Sequence, residues 1–300
     1  MRDRIRRRGT EIYHFTSTEA SLRAAGVKTV ATVYDLIPLE SGLGNSLDPR
    51  QRWRAFLYGR YLRSLQAANR LIAISTATGA ALSERLGIPR ERIDVIPLGI
   101  DALDWRRRAE QATAGLRRRY HLPDQFWLTV TSPNPNKGWP DLVQALSFAR
   151  AEGLHIPLVI AGYWLPEQRR QLSALATKGE VSELVHFLGY VEDDVMPALY
   201  AQALGFVFPS HREGFGLPVL EAMASGTPLI VSDDPAVLEL ANGIATVFPR
   251  GNASLLAERM AQLAGDATLR SRSGTQGLER SAEYSWERTV EQTVRVYEAL

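Results

Sequence analysis

The chain has 300 residues, of which 45% are hydrophobic, and this length suits two domains that each bury a core of their own. It contains no cysteine, which excludes disulfide bonds, thiolate metal sites and a cysteine nucleophile and fits a reducing compartment. The formal net charge is only +2, but residues 1–112 carry 19 basic and 12 acidic side chains whereas the remainder carries 16 and 21, so the two halves differ in the partners they favour.

Strand-length apolar runs alternate with helical patterns through the first third of the chain. The strand-like runs are residues 11–15, 29–34, 71–74 and 94–97, and the helical patterns are residues 48–69 and 76–86. Ser75 or Thr76 would cap the second helix, and Gly87 would end it. This alternation predicts a parallel sheet with helical crossovers, in an N-terminal domain of residues 1–112.

The helix predicted at residues 48–69 is both basic and aromatic. Its side chains include Arg50, Arg52, Trp53, Arg54, Phe56, Tyr58, Arg60, Tyr61 and Arg63, and five further arginines lie within the first eight residues. This composition is typical of a membrane-surface or nucleic-acid patch, and also of a helix packed on a core with a solvated arginine face. We favour the packed helix, keep peripheral membrane contact or a complementing chain as the alternative, and expect no nucleic-acid partner.

A second αβ series follows a polar, arginine-rich stretch at residues 105–119 that suits a crossing between domains. Its strand-like runs are residues 126–131, 158–161, 185–188, 204–209, 229–231 and 246–248. Helical patterns lie at residues 139–151, 166–176, 253–264 and 286–300 and in the segment that begins at Leu217. Six strands predict a complete Rossmann-like domain over residues 113–284, followed by a terminal helix at residues 285–300.

Residues 210–233 contain a glycine-rich loop that opens a short helix between two apolar runs. The loop therefore lies at the carboxyl end of a parallel strand, where ligands bind because loops and helix N-termini present free N–H groups. Gly214 and Gly216 allow a tight turn, Pro218 suits the first helical turn and Gly226 suits a left-handed cap. A phosphate at this helix N-terminus would meet free donors and a favourable dipole.

Two glutamates, Glu213 and Glu221, lie eight positions apart in this segment. The acid and base of a glycosidase stand about 5–9 Å apart. Eight helical residues rise roughly 12 Å, and even a looped first half leaves the pair too far apart. The two carboxylates are better placed to hold the two ends of an elongated ligand, and a phosphate between hydroxyl groups describes a nucleotide sugar.

The string EGFGLPVLEAMASG, from Glu213 to Gly226, resembles the E-x7-E signature of retaining GT-B glycosyltransferases, especially family 4. The resemblance implies an α/β protein with two Rossmann-like parallel-sheet domains that face a cleft, and a terminal helix that returns to the first domain. It further implies that Glu213 orients the donor sugar and that Glu221 binds the ribose hydroxyls. The donor would also meet the loop backbone, at Gly214, Phe215, Gly216 and Leu217.

The first domain departs from the family pattern. Family members normally open with a strand and a glycine-rich loop that shapes the acceptor site, so the N-terminal domain is expected to be incomplete. Tyr34 occupies the place where relatives usually have a histidine that faces the transferred sugar, and a phenol cannot act like imidazole near neutral pH. For Asp35 we favour a cap of the following turn over a bond to a sugar hydroxyl.

Lys137 lies between the first strand and first helix of the second domain, at the same carboxyl edge as Glu213. An ammonium there would stabilise the charge that grows on a departing diphosphate, although an exposed loop lysine is the alternative. Relatives often pair this lysine with an upstream arginine, where this chain has Thr131 and Ser132. Arg212 is therefore the candidate for a second cation.

The remaining candidates rest on weaker resemblances. Gly162, Gly189 and Tyr190 are similar to turns that border the nucleobase, and Ser75 is similar to a serine of the cleft. His14 ends a strand and would approach the acceptor, although a lone histidine is more often packed and satisfied. The five histidines show no metal-ligand spacing, so no metal and no resident cofactor are predicted.

The resemblance implies a retaining hexosyltransferase with a nucleotide diphosphate sugar as co-substrate, GDP-mannose before UDP-glucose. The expected acceptor is a glycan or lipid-linked hydroxyl in polysaccharide or glycoconjugate biosynthesis. One alternative is a non-catalytic or partner-dependent nucleotide-sugar-binding subunit, motivated by the short first domain and Tyr34. A nucleotide-sugar epimerase would need histidines and acids that line a closed cleft, which are not evident. Without a transmembrane run or signal peptide, we expect a cytoplasmic protein, with peripheral contact at the inner membrane face as an option.

Overall fold

The structure is a computed structural model that describes residues 10–17, 26–37, 49–111 and 115–300. The chain divides into two compact units, one of residues 1–99 with 286–300 and the other of residues 100–285. The five arginines of the first eight residues and the domain boundary expected after Ala112 lie outside the described residues. None of the helices in the described ranges combines the length and the apolar character that a membrane span requires.

The first unit contains a four-stranded parallel sheet whose strands neighbour one another in chain order. The strands are β1 (Ile12–Phe15), β2 (Lys28–Val33), β3 (Arg70–Ala73) and β4 (Ile93–Val95). Helices α1 (Pro49–Ala67) and α2 (Thr76–Leu86) supply the connections after β2 and β3, as expected for parallel strands.

Alternate residues of β2 and β3 point to opposite faces of this sheet and enter two separate apolar clusters. Val33 and Leu71 pack in the cluster that includes Leu65 of α1 and Leu82 of α2. On the other face, Ile72 packs with Val296 of the terminal helix (Trp286–Glu298). The terminal helix therefore belongs to the first unit.

The second unit contains a six-stranded parallel sheet with the order β10-β9-β8-β5-β6-β7. The strands are β5 (Trp127–Val130), β6 (Leu158–Ala161), β7 (Val185–Gly189), β8 (Gly205–Phe208), β9 (Leu229–Ser232) and β10 (Thr246–Phe248). The strand order reverses between β5 and β8, which makes that junction the topological switch point of a Rossmann-like sheet. The predicted fold class of two parallel-sheet α/β domains is confirmed.

Nine helices of the second unit lie in the described ranges. They are α3 (Ala102–Gln111), α4 (Leu116–Tyr120), α5 (Trp139–Ala151), α6 (Pro166–Lys178), α7 (Met196–Gln202), α8 (Leu217–Ala224), α9 (Pro235–Ala241), α10 (Ala253–Gly265) and α11 (Ala267–Ser281). The main core lies against the sheet and includes Trp127, Leu158, Val207, Ile230 and Phe248.

All ten predicted strands are present with ends within two residues of the expected positions, whereas α7, α9 and α11 were not predicted. α11 contains Gly274 and Gly277, which are poor helix formers. Both are small because α11 lies very close to α8: a Cβ on Gly274 would stand 2.5 Å from the carbonyl oxygen of Gly226. Close packing overrides the local propensity.

The stretch at residues 105–119 differs from the predicted crossing, because it contains helices α3 and α4. Trp105 of α3 donates a hydrogen bond to Ser225, which follows α8, over 2.6 Å. This contact and others place α3 in the second unit, so the division falls between Gly99 and Ile100 and the predicted boundary at Ala112 differs from it.

Candidate functional site

The loops that follow β5 and β8 meet at the switch point of the second sheet. β5 and β8 are hydrogen-bonded neighbours, so their carboxyl ends lie side by side. The first loop carries Lys137 in a short 3-10 turn, Pro135–Lys137, and the second carries Glu213 ahead of α8. Two residues 76 positions apart in sequence are thereby brought together, as the predicted carboxyl edge requires.

Lys137 and Glu213 form an ion pair with two hydrogen bonds. The Nζ atom lies 2.8 Å from Oε1 and 2.9 Å from Oε2 of the carboxylate. The side chain of Glu213 is 10% exposed and that of Lys137 is 29% exposed, so the lysine is the member that reaches solvent. Because an ammonium has three N–H donors, one donor remains for a ligand after Glu213 has taken two.

The backbone fixes the separation of the two loops. Gly138, next to Lys137, has a φ of +66°, and a Cβ there would stand 2.0 Å from the carbonyl oxygen of Pro209. The N–H of His211 also donates to the carbonyl of Asn136 over 2.7 Å. Only glycine permits this approach without a shift of the backbone, so Gly138 holds the lysine beside the β8 loop.

The glycine loop ends at the N-terminus of α8 as predicted. Gly216 is the N-cap residue with a φ of +107°, and Pro218 lies in the first turn. The N–H of Leu217 has no hydrogen-bond partner in the part of the chain that the structure describes, which leaves it available to an anion. The ring of Phe215 is buried and packs edge-on against Tyr284, with centroids 6.1 Å apart. The loop backbone, and not this ring, is therefore the part of Phe215 that a ligand could meet.

Glu221 lies one turn into α8 and accepts a hydrogen bond from the hydroxyl of Tyr200, over 2.7 Å to Oε2. Burial raises the pKa of Glu221 to about 7, the hydrogen bond from Tyr200 lowers it, and nearby Asp193 raises it further. Near neutral pH this carboxyl therefore carries a partial charge that a polar ligand can shift. Glu213 and Glu221 occupy different environments, one paired with a cation and the other with a phenol.

Charged residues that follow β9 and β10 extend the group of polar side chains beyond Glu213. Arg250, after β10, donates to Asp233 over 2.9 Å and to the carbonyl of His211 over 3.0 Å. The ring of His211 in turn hydrogen-bonds to Asp141 at the start of α5. Arg212, the predicted second cation, is exposed in the same loop.

The carboxyl ends of β6 and β7 form a second group of close backbone contacts. Gly162 has a φ of +133°, and a Cβ there would stand 2.1 Å from the carbonyl oxygen of Thr131. Its N–H donates to the carbonyl of Gly189 over 2.8 Å. Ser132 and Tyr190 are exposed beside these turns. All the donor-side candidates therefore lie in loops at one edge of the sheet or in α8, which begins there.

Four candidates for the acceptor side lie in the first unit, and three of them have structural hydrogen bonds. The four are His14, Tyr34, Asp35 and Ser75. Nδ1 of His14 lies 2.6 Å from the hydroxyl of Tyr297 and Nε2 lies 2.8 Å from Thr32, so both ring nitrogens are occupied. Ser75 caps α2 through the N–H of Thr78. These two residues thus have the packed and capping roles that the sequence left open.

The dipeptide Tyr34-Asp35 follows β2 and its two side chains differ in role. The Asp35 carboxylate accepts from the N–H of Ile37 over 2.9 Å, which is the favoured capping interaction. Tyr34 is 44% exposed, and its carbonyl accepts from Thr78 over 3.5 Å. Of the four, Tyr34 is the side chain that stays accessible.

Sequence reasoning missed Tyr200, Arg250 and Asp141 as members of the site. Tyr200 lies in the apolar helix α7 and resembles an ordinary core residue. Arg250 contacts Asp233, and Asp141 contacts His211, only because the strand order of the sheet brings the segments that carry them together. Within the described ranges, no group of three or more His, Asp or Glu side chains could hold a metal ion.

Comparison with known proteins assigns the chain to a family. Residues 119–280 match the family described as "Glycosyl transferases group 1", and residues 1–102 match "Glycosyltransferase Family 4". "O-antigen chain mannosyltransferase B" of Escherichia coli is 29% identical over 241 residues, which are 79% of this chain and 62% of that protein. "Serotype-specific mannosyltransferase WbdA" of Escherichia coli is 31% identical over 289 residues, which are 92% of this chain and 34% of that protein.

The fold is also shared with solved structures. Anabaena Alr3699/HepE, solved in complex with UDP and glucose, superposes with a TM-score of 0.80 at 18% identity, over 100% of this chain and 81% of that one. The fold is thus that of the GT-B glycosyltransferases, while this chain spans less than two thirds of the length of the two curated relatives. Since the first family match covers more than half of the chain, the protein belongs to the group 1 glycosyl transferases.

Proposed function

We propose that this protein is a retaining hexosyltransferase that binds a nucleotide diphosphate sugar at the switch point of the second sheet. The observation that carries the proposal is the Lys137–Glu213 pair, which places a cation and a carboxylate beside the N-terminus of α8. A donor of this class carries a diphosphate between two polyhydroxylated rings. It therefore needs an electropositive centre flanked by hydrogen-bond acceptors.

The diphosphate would bind between Lys137 and the first turn of α8. The third donor of the ammonium and the free N–H of Leu217 supply hydrogen bonds, and the helix dipole adds favourable potential. When the anomeric carbon–oxygen bond breaks, negative charge grows on the leaving phosphate oxygen. Donors already in place stabilise that charge more than the charge of the intact donor, so they lower the barrier.

The two carboxylates would bind the ends of the donor. Glu213 retains lone pairs after it has accepted from Lys137, and these suit the hydroxyl groups of the transferred hexose. Glu221 would accept from the ribose hydroxyls. The base would then lie toward the turns at Gly162 and Gly189, where the exposed ring of Tyr190 lies.

Transfer with retention requires no protein nucleophile in this arrangement. The bond from the anomeric carbon to the phosphate oxygen breaks, and a bond from the same carbon to the acceptor oxygen forms on the same face. The acceptor proton moves to the leaving phosphate oxygen, which balances the step. Glu213 and Lys137 would orient the sugar and the diphosphate throughout the step.

We propose GDP-mannose as the donor and a growing polysaccharide or glycoconjugate as the acceptor. Two relatives are named as mannosyltransferases, which favours mannose, whereas the HepE complex contains UDP and glucose, which keeps UDP-glucose as the second candidate. A glycan or lipid-linked hydroxyl would serve as acceptor.

The donor class can be measured by thermal stabilisation with GDP, UDP and ADP, since a ligand at about 100 times its Kd adds about 2.7 kcal/mol to native stability. We expect the largest shift with GDP. Release or transfer of mannose from GDP-mannose should fall by at least about 100-fold in Lys137→Ala and in Glu213→Ala. Lys178→Ala is the matched control, because Lys178 is an exposed lysine at the far end of α6.

Turnover like that of the wild type in both variants would contradict the assignment. If the isolated wild type binds the nucleotide but shows no turnover, and a second protein restores turnover, the result would instead support a partner-dependent subunit. The comparison requires that both variants remain folded at the assay temperature, which their thermal unfolding curves establish.

We further propose that α1 contacts an anionic lipid surface, which would give a cytoplasmic protein with peripheral membrane contact. Trp53 is 61% exposed and Phe56 is 51% exposed, and their rings stack with centroids 5.6 Å apart. At about 100° per residue, these rings share one face of the helix with Arg52, Arg60 and Arg63. None of these three arginines forms an ion pair with another described residue. Aromatic rings and arginines on one helix face suit the interface of an anionic bilayer.

Sedimentation with vesicles that contain anionic lipid tests this contact. We expect binding by the wild type, a loss of at least about fivefold in the double variant Trp53→Ser and Phe56→Ser, and weakening by salt. Phe148→Ser, at an exposed position on α5, is the matched control. Equal binding by the double variant, or none by the wild type, would overturn this proposal and leave the donor site unaffected.

A further inference from the structure

We propose that Tyr200 is a positioning residue that orients the Glu221 carboxylate toward the ribose of the donor and so makes the site selective for ribonucleotides over 2′-deoxyribonucleotides. This inference rests on the proposed nucleotide-sugar site. Tyr200 lies on α7, outside the glycine loop and outside the E-x7-E motif. It acts through Glu221 and need not touch the ligand itself.

The hydroxyl of Tyr200 is fixed by the packing of its ring. The side chain is fully buried. Its ring packs edge-on against Phe206 of β8, with centroids 5.2 Å apart, and at a tilt against Trp105 of α3, with centroids 6.3 Å apart. A buried ring held by aromatic neighbours has few rotamers, so its hydroxyl donates from one defined position.

Tyr200 contacts only one side of the Glu221 carboxylate. The hydroxyl donates to Oε2 over 2.7 Å. Among the described residues, no other side chain and no backbone N–H hydrogen-bonds to this carboxylate, so the acceptor positions of Oε1 remain available to a ligand. One fixed hydrogen bond to Oε2 restricts rotation of the group, and therefore sets the direction in which Oε1 accepts.

The backbone that carries Glu221 is anchored by the same neighbours. The hydroxyl of Ser225 donates to the carbonyl oxygen of Glu221 over 2.9 Å. The indole N–H of Trp105 donates to that hydroxyl over 2.6 Å. Trp105 thus contacts both the ring of Tyr200 and the end of α8, so the position of Tyr200 and that of Glu221 are fixed relative to each other.

A ribose offers two adjacent hydroxyl groups, and an ionised carboxylate can accept a hydrogen bond from both. Tyr200 favours the ionised form, because its hydrogen bond lowers the pKa of Glu221 against the opposing effect of burial. Without that hydroxyl, the carboxyl would be protonated to a higher pH and free to rotate. It would then distinguish poorly between a ribose and a ring that lacks the 2′-hydroxyl.

The test compares the Kd values of GDP and 2′-deoxy-GDP, and of UDP and 2′-deoxy-UDP, by calorimetry at pH 8. We expect the wild type to prefer the ribonucleotide by about tenfold, and Tyr200→Phe to reduce that preference to about twofold. Glu221→Gln should also reduce it. Tyr120→Phe is the matched control, because it removes a tyrosine–glutamate hydrogen bond to Glu192 in the same unit.

A second readout separates orientation from simple structural damage. In the wild type, the preference for ribonucleotides over 2′-deoxyribonucleotides should increase as the pH rises and Glu221 ionises. In Tyr200→Phe, the same increase should occur at a higher pH. The groups that act on this carboxyl are Tyr200 of α7 and Asp193 in the preceding loop. Asp193→Asn should displace the rise to lower pH, the opposite direction.

The two levels of the proposal fail in different ways. A wild type that binds none of the four nucleotides would overturn the nucleotide-sugar site itself. A wild type that prefers ribonucleotides, with Tyr200→Phe keeping the full preference and the same pH profile, would overturn only the role of Tyr200. Equal binding of ribo- and deoxyribonucleotides by the wild type would also overturn it.

Discussion

Lys137 donates to both carboxylate oxygens of Glu213, at 2.8 and 2.9 Å, and the glutamate is the more deeply buried of the two. The pair therefore stabilises a carboxylate that would otherwise lie largely out of water without a counter-charge. We propose two roles for the lysine, one in holding together the loops that follow β5 and β8 and one in binding an anionic ligand. The two roles can be separated by mutation.

Lys137→Met should destabilise the second unit by about 1–3 kcal/mol, because it leaves the Glu213 carboxylate without its partner. Adding Glu213→Gln to this variant should recover much of that stability but none of the nucleotide binding. Urea unfolding of the two single variants and the double variant gives the interaction free energy between Lys137 and Glu213. If the pair acts as a unit, the double variant should lose less stability than the sum of the two single losses. Simple additivity of the two effects on stability would contradict this explanation.

Gly138→Ala should reduce both stability and nucleotide affinity. Its Cβ would stand 2.0 Å from the carbonyl oxygen of Pro209, so the Lys137 loop must move away from β8. Gly153→Ala is a matched control with a φ of +86° and open space around its Cβ, so it carries only the conformational cost of about 1 kcal/mol. We expect Gly138→Ala to lose about 1–3 kcal/mol more than the control in chemical unfolding.

The stability of the second unit should depend on the ionisation of Glu221. Its folded-state pKa of about 7 lies above the ordinary value of 4.5, so the folded protein binds more protons than the unfolded chain between these two pH values. The free energy of unfolding should therefore fall as pH rises through that window, by up to about 3 kcal/mol. Glu221→Gln should remove this fall, and unfolding curves of both proteins at pH 5 and pH 8 would reveal the difference. Identical pH dependence in the two proteins would refute the assignment.

His14 should stabilise the first unit in its neutral form. Burial lowers its pKa below 6.5, so its contribution is present above that pH and is lost as pH falls through the lower folded-state value. His14→Ala should loosen the terminal helix at pH 7.5, seen as faster proteolysis there, and the difference from the wild type should narrow at pH 5. His155→Ala, at an exposed position, should behave like the wild type at both values.

The sheets could be predicted because each strand is a short apolar run bounded by turn residues. The match extends to residues 158–161 and 246–248, whose bounds are as predicted. The helices that sequence missed are short or contain glycine. In α11, Gly274 serves an approach to Gly226 that exists only in the folded unit, so no local pattern could reveal it.

Within the candidate site, the residues of the sequence motif could be predicted, whereas the residues that hold them in position could not. Glu213, Glu221 and the glycine loop have a distinctive spacing along the chain, and Lys137 follows a recognisable strand. No comparable sequence pattern identifies Tyr200, because a tyrosine in an apolar helix is ordinarily a core residue. Its hydrogen bond to Glu221 depends on how α7 packs against α8, which is a tertiary property.

The terminal helix makes the first unit discontinuous in sequence. Thr289 donates to the carbonyl of Pro97, and Tyr297 contacts His14, so a helix that is distant in sequence completes the core of the first unit. Because the terminal helix follows residues 100–285 in sequence, the core of the first unit can be completed only after the whole second unit has been translated. A fragment that stops after Gly99 therefore lacks the helix that packs against one face of the first sheet.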